Sequence, residues 1–176
     1  MERTSIDVKD FTTRVAHLFD NEWLLLTSGD YSAGKFNAMT ISWGSMGFIW
    51  ERPFAQVVVR PSRHTFGFIN QYDTFTLCAF GAEYKKALGL LGSKSGRDGD
   101  KIAESGLTPQ AAVVAAAPAY AQAKLVIECR KLYWQDMDPS HFLLPEIDQN
   151  YGGTDYHRIF FGEIIQISGT AEYQPR

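Results

Sequence analysis

The chain has 176 residues, a net charge of −3, 45% hydrophobic and 21% charged residues. That length suits one domain with a substantial core, expected over 1–176. The acidic balance argues against a general nucleic-acid or membrane-surface binder, although a local basic pocket is compatible with it.

The first ten residues are polar and charged, so no signal peptide is expected. No apolar run is long enough to span a bilayer. Val8, Phe11, Val15, Leu18 and Phe19 approximate one face of a helix that Asp20-Asn21-Glu22 ends. Trp23 to Thr27 reads as a short strand, and Ser28 to Lys35, with Gly29, Asp30 and Gly34, as a loop or hairpin turn. Asn37 to Thr65 then holds two β-like runs joined by a turn at Glu51-Arg52-Pro53. The second run, Phe54 to Val59, is almost wholly apolar. It breaks into Arg60-Pro61-Ser62-Arg63-His64-Thr65, which opens a helix at Phe66 to Gln71.

Thr74 to Phe80 reads as a strand and Tyr84 to Leu91 as a helix. Gly92 to Asp100 is a Gly/Ser-rich loop, and Lys101 to Glu104 a helical turn with Gly106 at its end. Thr108 to Ala123, rich in Ala, is expected to be an irregular crossing segment. Lys124 to Trp134 alternates as a long strand, with Lys124, Glu128 and Arg130 on its polar side. A short helix is expected at His141 to Leu144 and a loop at Asn150 to Asp155. His157 to Ile167 is the last long strand, with a kink or bulge at Gly169 and an extension from Thr170 to Tyr173. Strands separated by short helices, without a βαβ repeat, give a β-dominated α+β domain, best closed as a barrel.

The chemistry-bearing residues fall into three stretches. Arg60, Ser62, Arg63 and Thr65 combine guanidinium forks, hydroxyls and a helix start, the donor set of a phosphomonoester site, with Ser62 a good N-cap type. An ordinary helix cap with solvated arginines reads equally well from the residues alone. Asn37, Thr40, Ile41, Ser42 and Trp43 would offer a strand edge and an indole to a flat heterocycle, or form a half-buried strand with a core tryptophan. Lys94, Ser95, Gly96 and Arg97 lie in a loop without nucleoside-triphosphatase spacing. The four histidines show no paired metal spacing, and no catalytic nucleophile is evident. His141 would line a pocket or lie at the surface. Glu83, Glu146, Asp148 and Asp155 read as solvated loop charges. Cys78 and Cys129 sit in apolar strand-like runs and read as buried thiols of a reducing compartment, the cytoplasm.

Taken in order, Asn-Ala-Met-Thr-Ile-Ser-Trp (37–43), Val-Arg-Pro-Ser-Arg-His-Thr (59–65) and Gly-Ser-Lys-Ser-Gly-Arg-Asp (92–98) resemble the flavin reductase-like family, including flavoredoxins. The likeness runs from about Trp23 to the C-terminus. It implies a split β-barrel binding FMN, with NADH or NADPH as electron donor, and a homodimer with FMN near the subunit interface. By this resemblance Asn37, Thr40, Ser42 and Trp43 lie along the isoalloxazine, the 60–65 run holds the phosphate, and Lys94 to Arg97 reach the flavin. A cation at the ring would favour the anionic reduced flavin. The family often has an aromatic where His64 stands. The activity implied is NAD(P)H-dependent flavin reduction. The alternative is a flavoredoxin-like carrier that takes electrons from a redox partner protein.

Overall fold

The computed structural model describes residues 2–175; Met1 and Arg176, the ends of the expected domain, lie outside the described residues. Among the described residues ten strands carry the fold: β1 Thr4–Ile6, β2 Leu24–Asp30, β3 Lys35–Ile41, β4 Gly44–Ile49, β5 Arg52–Val59, β6 Thr74–Ala79, β7 Pro109–Gln110, β8 Ala119–Tyr120, β9 Leu125–Asp136 and β10 Arg158–Gly169. The helices are α1 Val15–His17, running into a π turn over Leu18–Glu22, α2 His64–Gln71, α3 Lys85–Ser93 and α4 Lys101–Ser105.

The main sheet is antiparallel, in the order β3-β2-β6-β9-β10-β5-β4, with β1 on the far part of β10. Strand alternation splits the apolar residues between two layers. Leu24, Leu26, Met39, Ile41, Val57, Val59, Leu77 and Ile127 share one core. Their neighbours Leu25, Ala38, Cys78 and Val126 face outward, under Leu88 and Leu91 of α3 and Ile102 of α4. Residues of β3 and β5, from opposite regions of the sheet, meet in the first core, so the sheet curls on itself. The path of strand pairing does not join β3 to β4. The fold is therefore a β-dominated split barrel with short peripheral helices. Among the described residues no helix is long and apolar enough to cross a membrane.

Several local expectations are corrected. The N-terminal helix covers only Val15 to Glu22, and Phe11 packs on the core without being helical. The run from Asn37 is two strands, broken at Ser42-Trp43. The following turn is Trp50-Glu51, with φ of 52° and 57°, the doubly left-handed geometry that suits a two-residue hairpin; Arg52 and Pro53 are already paired in β5. Ser28 to Asp30 belong to β2. Instead of a helix over 141–144, two 3₁₀ segments form at Pro139–His141 and Pro145–Asn150, each opened by a proline. Gly169 keeps its register with Leu125, and the irregularities lie at Phe161/Gly162 and Ile164/Gln166. A Cβ on Gly162 would come within 2.5 Å of the Phe75 ring, so the close approach there requires glycine. Thr170 to Tyr173 turns into a 3₁₀ segment, Ala171–Tyr173.

The 108–123 crossing contains the short β7–β8 pair and is anchored to the sheet by Thr74, Thr76 and, most of all, Glu128. Glu128, expected on the polar side of its strand, is 1% exposed. Its carboxylate accepts from the backbone N–H groups of Val113, Val114 and Ala115 at 2.8, 2.7 and 2.7 Å. Three amide donors replace the water lost on burial, which explains how a carboxylate sits beneath an otherwise irregular segment.

Candidate functional site

Two small cavities lie along β3 and the β5–α2 junction. The first collects cations. Its volume is about 190 Å³, and it lies between the start of α2, Asn37 of β3, the end of α3 and the 94–97 loop. Arg63 occupies the N-cap of α2 in extended conformation, so the expected Ser62 cap shifts by one residue. The Arg63 guanidinium donates to the Gly92 carbonyl, and burial, followed by repulsion from Arg60, lowers its pKa. Arg97 Nη1 donates to the Ser62 carbonyl at 3.1 Å, and its own N–H donates to Ser95 Oγ at 3.2 Å. Lys94 Nζ bonds both carboxylate oxygens of Glu104 at 2.7 Å.

Lys101 is the cation that sequence reading missed. It is only 3% exposed, and its Nζ donates to the carbonyls of Leu91 at 2.8 Å and Lys94 at 2.9 Å. Burial, helped by the Arg63 charge, pulls its pKa down to about 8. An ammonium has three donors, and among the described residues the third has no protein acceptor. Burying a cation beside other cations is costly unless an anion joins them. His64, on the same wall, is held below its usual range by burial and by Arg97 and Lys101, which favours a neutral ring.

Asn37 and Gly96 close this cavity together. Asn37 Nδ2 donates to Thr65 Oγ1 at 2.8 Å, both residues being buried. That fixes Asn37 Oδ1 toward the loop, where a Cβ at position 96 would lie 2.3 Å from it. Only glycine permits so close an approach of loop and strand.

The second cavity is a shelf of about 190 Å³ lined by Met39 to Trp43, Val58, Arg60 and His157. Trp43 is 46% exposed, with its ring 5.4 Å from that of His157. His157 is buried and shares a 2.9 Å hydrogen bond between Nδ1 and the Tyr151 hydroxyl. Burial, then the Arg60 charge, lowers its pKa to about 4, so it is a neutral wall at pH 7. Ile41 belongs to the core, and the Thr40 hydroxyl donates to the Leu88 carbonyl of α3 at 2.6 Å. Ser42 and Trp43 therefore remain as the exposed side chains at the break between β3 and β4.

The structure thus divides the predicted residues. Asn37, Ser62, Arg63, Thr65, Lys94, Ser95, Gly96 and Arg97 line the cationic cavity; Thr40, Ile41, Ser42, Trp43 and Arg60 line the shelf. Both Ser62 donors and one nitrogen of Arg60 are engaged by the 150–155 loop. Ser62 N–H and hydroxyl both donate to the Asp155 carboxylate, at 2.9 and 2.6 Å. Arg60 donates to the Asn150 carbonyl at 2.7 Å and lies 4.9 Å over the Tyr151 ring. Asp155 is consequently a ligand of the β5–α2 turn and not a merely solvated charge. His141 lies away at the surface, with a 76% exposed side chain. Lys101, Asp155, Tyr151 and His157 had no distinguishing local signal, because each gains its role from a segment distant in sequence.

The model of the flavin reductase like domain matches residues 17–175. A comparison with curated proteins gives no match. Among solved structures, the chain is similar to an FMN-binding domain of a flavin reductases-like enzyme from Shewanella baltica, with 16% identity, 96% of this chain and 77% of that one covered, and a TM-score of 0.69. It is similar to a flavoredoxin from Methanosarcina acetivorans, with 23% identity, 88% and 74% coverage, and a TM-score of 0.67. It also resembles a Streptomyces globisporus NADH:FAD oxidoreductase in complex with NAD and FAD fragments, with 17% identity, 87% and 77% coverage, and a TM-score of 0.64. At these identities the structural likeness establishes the fold.

Proposed function

The chain belongs to the flavin reductase-like family, and from that premise we propose that it binds FMN and acts as an NAD(P)H-dependent flavin reductase. The observation that carries this reading is the cationic cavity, where the side chains of Arg63, Arg97 and the buried Lys101 converge with Ser93 at the end of α3 and Ser95 of the loop. That donor set fits a phosphate, whose oxygens would take the free Lys101 donor and relieve the crowding of cations. The Trp43 shelf lies further along the same strand. From Asn37 to Ile41 is about 13 Å at the usual strand rise, a reach that suits a phosphate and a ring joined by a ribityl chain.

When bound, FMN would supply the redox chemistry of the site, hydride acceptance and electron transfer. The protein's part is positional. Arg63, Arg97 and Lys101 hold the phosphate, and Gly96 lets the loop backbone close on it. Ser42 and Trp43 flank the ring edge, while Tyr151 and His157 form a wall that carries no charge at pH 7. No protein acid or base is required for hydride transfer itself.

A homodimer is part of the proposal. Phe48, Trp50, Tyr133 and Trp134 are 70%, 55%, 44% and 51% exposed, and the Trp50 ring packs 6.0 Å from that of Tyr133. Aromatic patches of this kind suit subunit contact. Two buried free thiols, Cys78 and Cys129, accord with a reducing cytoplasm. The exposure of Trp43 favours one second reading, a flavoredoxin-like carrier whose ring edge is open to a redox partner protein. Anaerobic addition of NADH or NADPH to the FMN-loaded protein separates the two. Bleaching of the visible flavin bands on a catalytic timescale is expected. A flavin untouched by either nucleotide, yet reduced by a reduced partner protein, would transfer the assignment to the carrier.

A further inference from the structure

The 150–155 loop reaches both cavities, and it meets the cationic one with an anion. Gly152, Gly153 and Asp155 take left-handed φ values of 60°, 80° and 56°. Glycine adopts that geometry freely; for aspartate it is uncommon, though more accessible than for most side chains. The turn carries the Asp155 carboxylate to Ser62, which lines the cationic cavity. The Ser62 N–H donates to one carboxylate oxygen and the Ser62 hydroxyl to the other. A phosphate would be received in the same way, by two donors on two of its oxygens. The other side of the loop serves the shelf. The Asn150 carbonyl accepts from Arg60 and the Tyr151 hydroxyl bonds His157, both of them shelf residues. Burial, then the Arg60 charge, lowers the pKa of Arg63 and of His157, and the Asp155 charge opposes this at both.

A carboxylate so placed ordinarily staples a turn. Here it ends on a donor of a cavity lined by Arg63, Lys94, Arg97 and Lys101 and, among the described residues, by no Asp or Glu. Two anions cannot share the Ser62 donors, and like charges at that range repel. Whatever the carboxylate gains from Ser62 is therefore subtracted from the affinity for a phosphate that needs the same donors. We propose that Asp155 is an internal competitor of the flavin phosphate: the phosphate takes over the Ser62 donors, and the 150–155 loop is released from the β5–α2 turn. The proposal rests on the FMN reading above and adds a regulatory contact to that same site. Release would loosen the Tyr151–His157 wall, so that filling the cationic cavity alters the ring shelf.

Dissociation constants for FMN and riboflavin in the wild type, Asp155→Asn and Asp155→Gly test the competition. Asparagine keeps the shape without the charge, and glycine accepts the left-handed φ. Both variants should bind FMN roughly tenfold more tightly, the low end for a charge-assisted hydrogen bond, and riboflavin within about threefold of wild type. Retained riboflavin binding also reports that each variant is folded. Hydrogen exchange in peptides spanning 150–156 tests the displacement itself. In the wild type, FMN and inorganic phosphate alone should each speed exchange there, whereas riboflavin should not. FMN bound no more tightly by either variant, or an equal gain for riboflavin, would overturn the proposal and leave Asp155 a staple of the turn. Tighter FMN binding by the variants, with wild-type exchange unchanged or slowed by FMN, would reduce Asp155 to a repelling charge and overturn it too. Failure of the wild type to bind FMN at all would sink the earlier reading and this one with it, whereas normal FMN binding without a gain in either variant sinks only this one.

Discussion

The two cavities along β3 differ in charge and in what they leave exposed. In the cationic cavity nearly every polar group is already tied down: Asn37 to Thr65, Arg63 to Gly92, Arg97 to Ser62, Lys101 to Leu91 and Lys94. On the shelf Thr40, Arg60 and His157 are tied too, to Leu88, Asn150 and Tyr151, but the side chains at the strand break, Ser42 and Trp43, are exposed. The more prominent of these, Trp43, is 46% exposed and sits where the sheet path is interrupted. The first design suits a ligand of fixed charge and shape, since preorganised donors spend no ordering entropy on binding. The second suits a flat group that must stay accessible to another reactant.

If this contrast is real, the largest effect should come from Lys101. Lys101→Met should cost FMN about 1.5–3 kcal/mol of binding, the range of a charge-assisted hydrogen bond, while riboflavin, lacking phosphate, loses far less. Equal losses for the two flavins in equilibrium titrations would break the assignment of the cavity to phosphate. A pH series sharpens it. The folded-state pKa is lowered to about 8 from an ordinary 10.5, so the buried ammonium opposes folding below about pH 8, and that cost is relieved as pH rises toward 10.5. Ligand binding has the opposite need, because the phosphate requires the ammonium. The preference for FMN over riboflavin should therefore fall as pH rises above about 8, and Lys101→Met should abolish that dependence.

At the shelf the expected effect is smaller and of another kind. Trp43→Ala should weaken FMN and riboflavin alike, by roughly 0.5–1.5 kcal/mol, the worth of an aromatic contact. A loss confined to FMN would mean that the indole serves the phosphate end, and would dissolve the distinction between the cavities.

The smallest change is expected from Lys94→Gln. Its ammonium is committed to Glu104, and the side chains of that pair are 32% and 45% exposed, so its loss should alter stability by at most about 1 kcal/mol in a denaturant titration. The cationic cavity contains Lys94, whereas the shelf does not. Potentiometric titration of bound FMN should accordingly show a midpoint potential close to wild type. A clear fall in potential would instead place this cation at the ring.

By itself the sequence determined the longer strands, the β-dominated class and the three stretches that line the two cavities, though not the short strands β1, β7 and β8, because the former depend on local quantities: alternation of apolar residues, glycine and proline breaks, and motifs of contiguous residues. It also marked Gly96 within a motif, though not the 2.3 Å approach to Asn37 that makes glycine necessary there. Tertiary structure decided which member of each stretch faces which cavity. Thr40 looked like a ring-edge donor until α3 supplied the Leu88 carbonyl. Lys101 looked like any helix-start lysine until the carbonyls of Leu91 and Lys94 closed over it. Glu128 and Asp155 looked solvated until the amides of Val113 to Ala115, and of Ser62, reached them from 13 to 93 positions away. In each case the deciding partner is a backbone group, which every residue carries and which no side-chain pattern reveals; only the folding of the chain brings it within hydrogen-bonding distance.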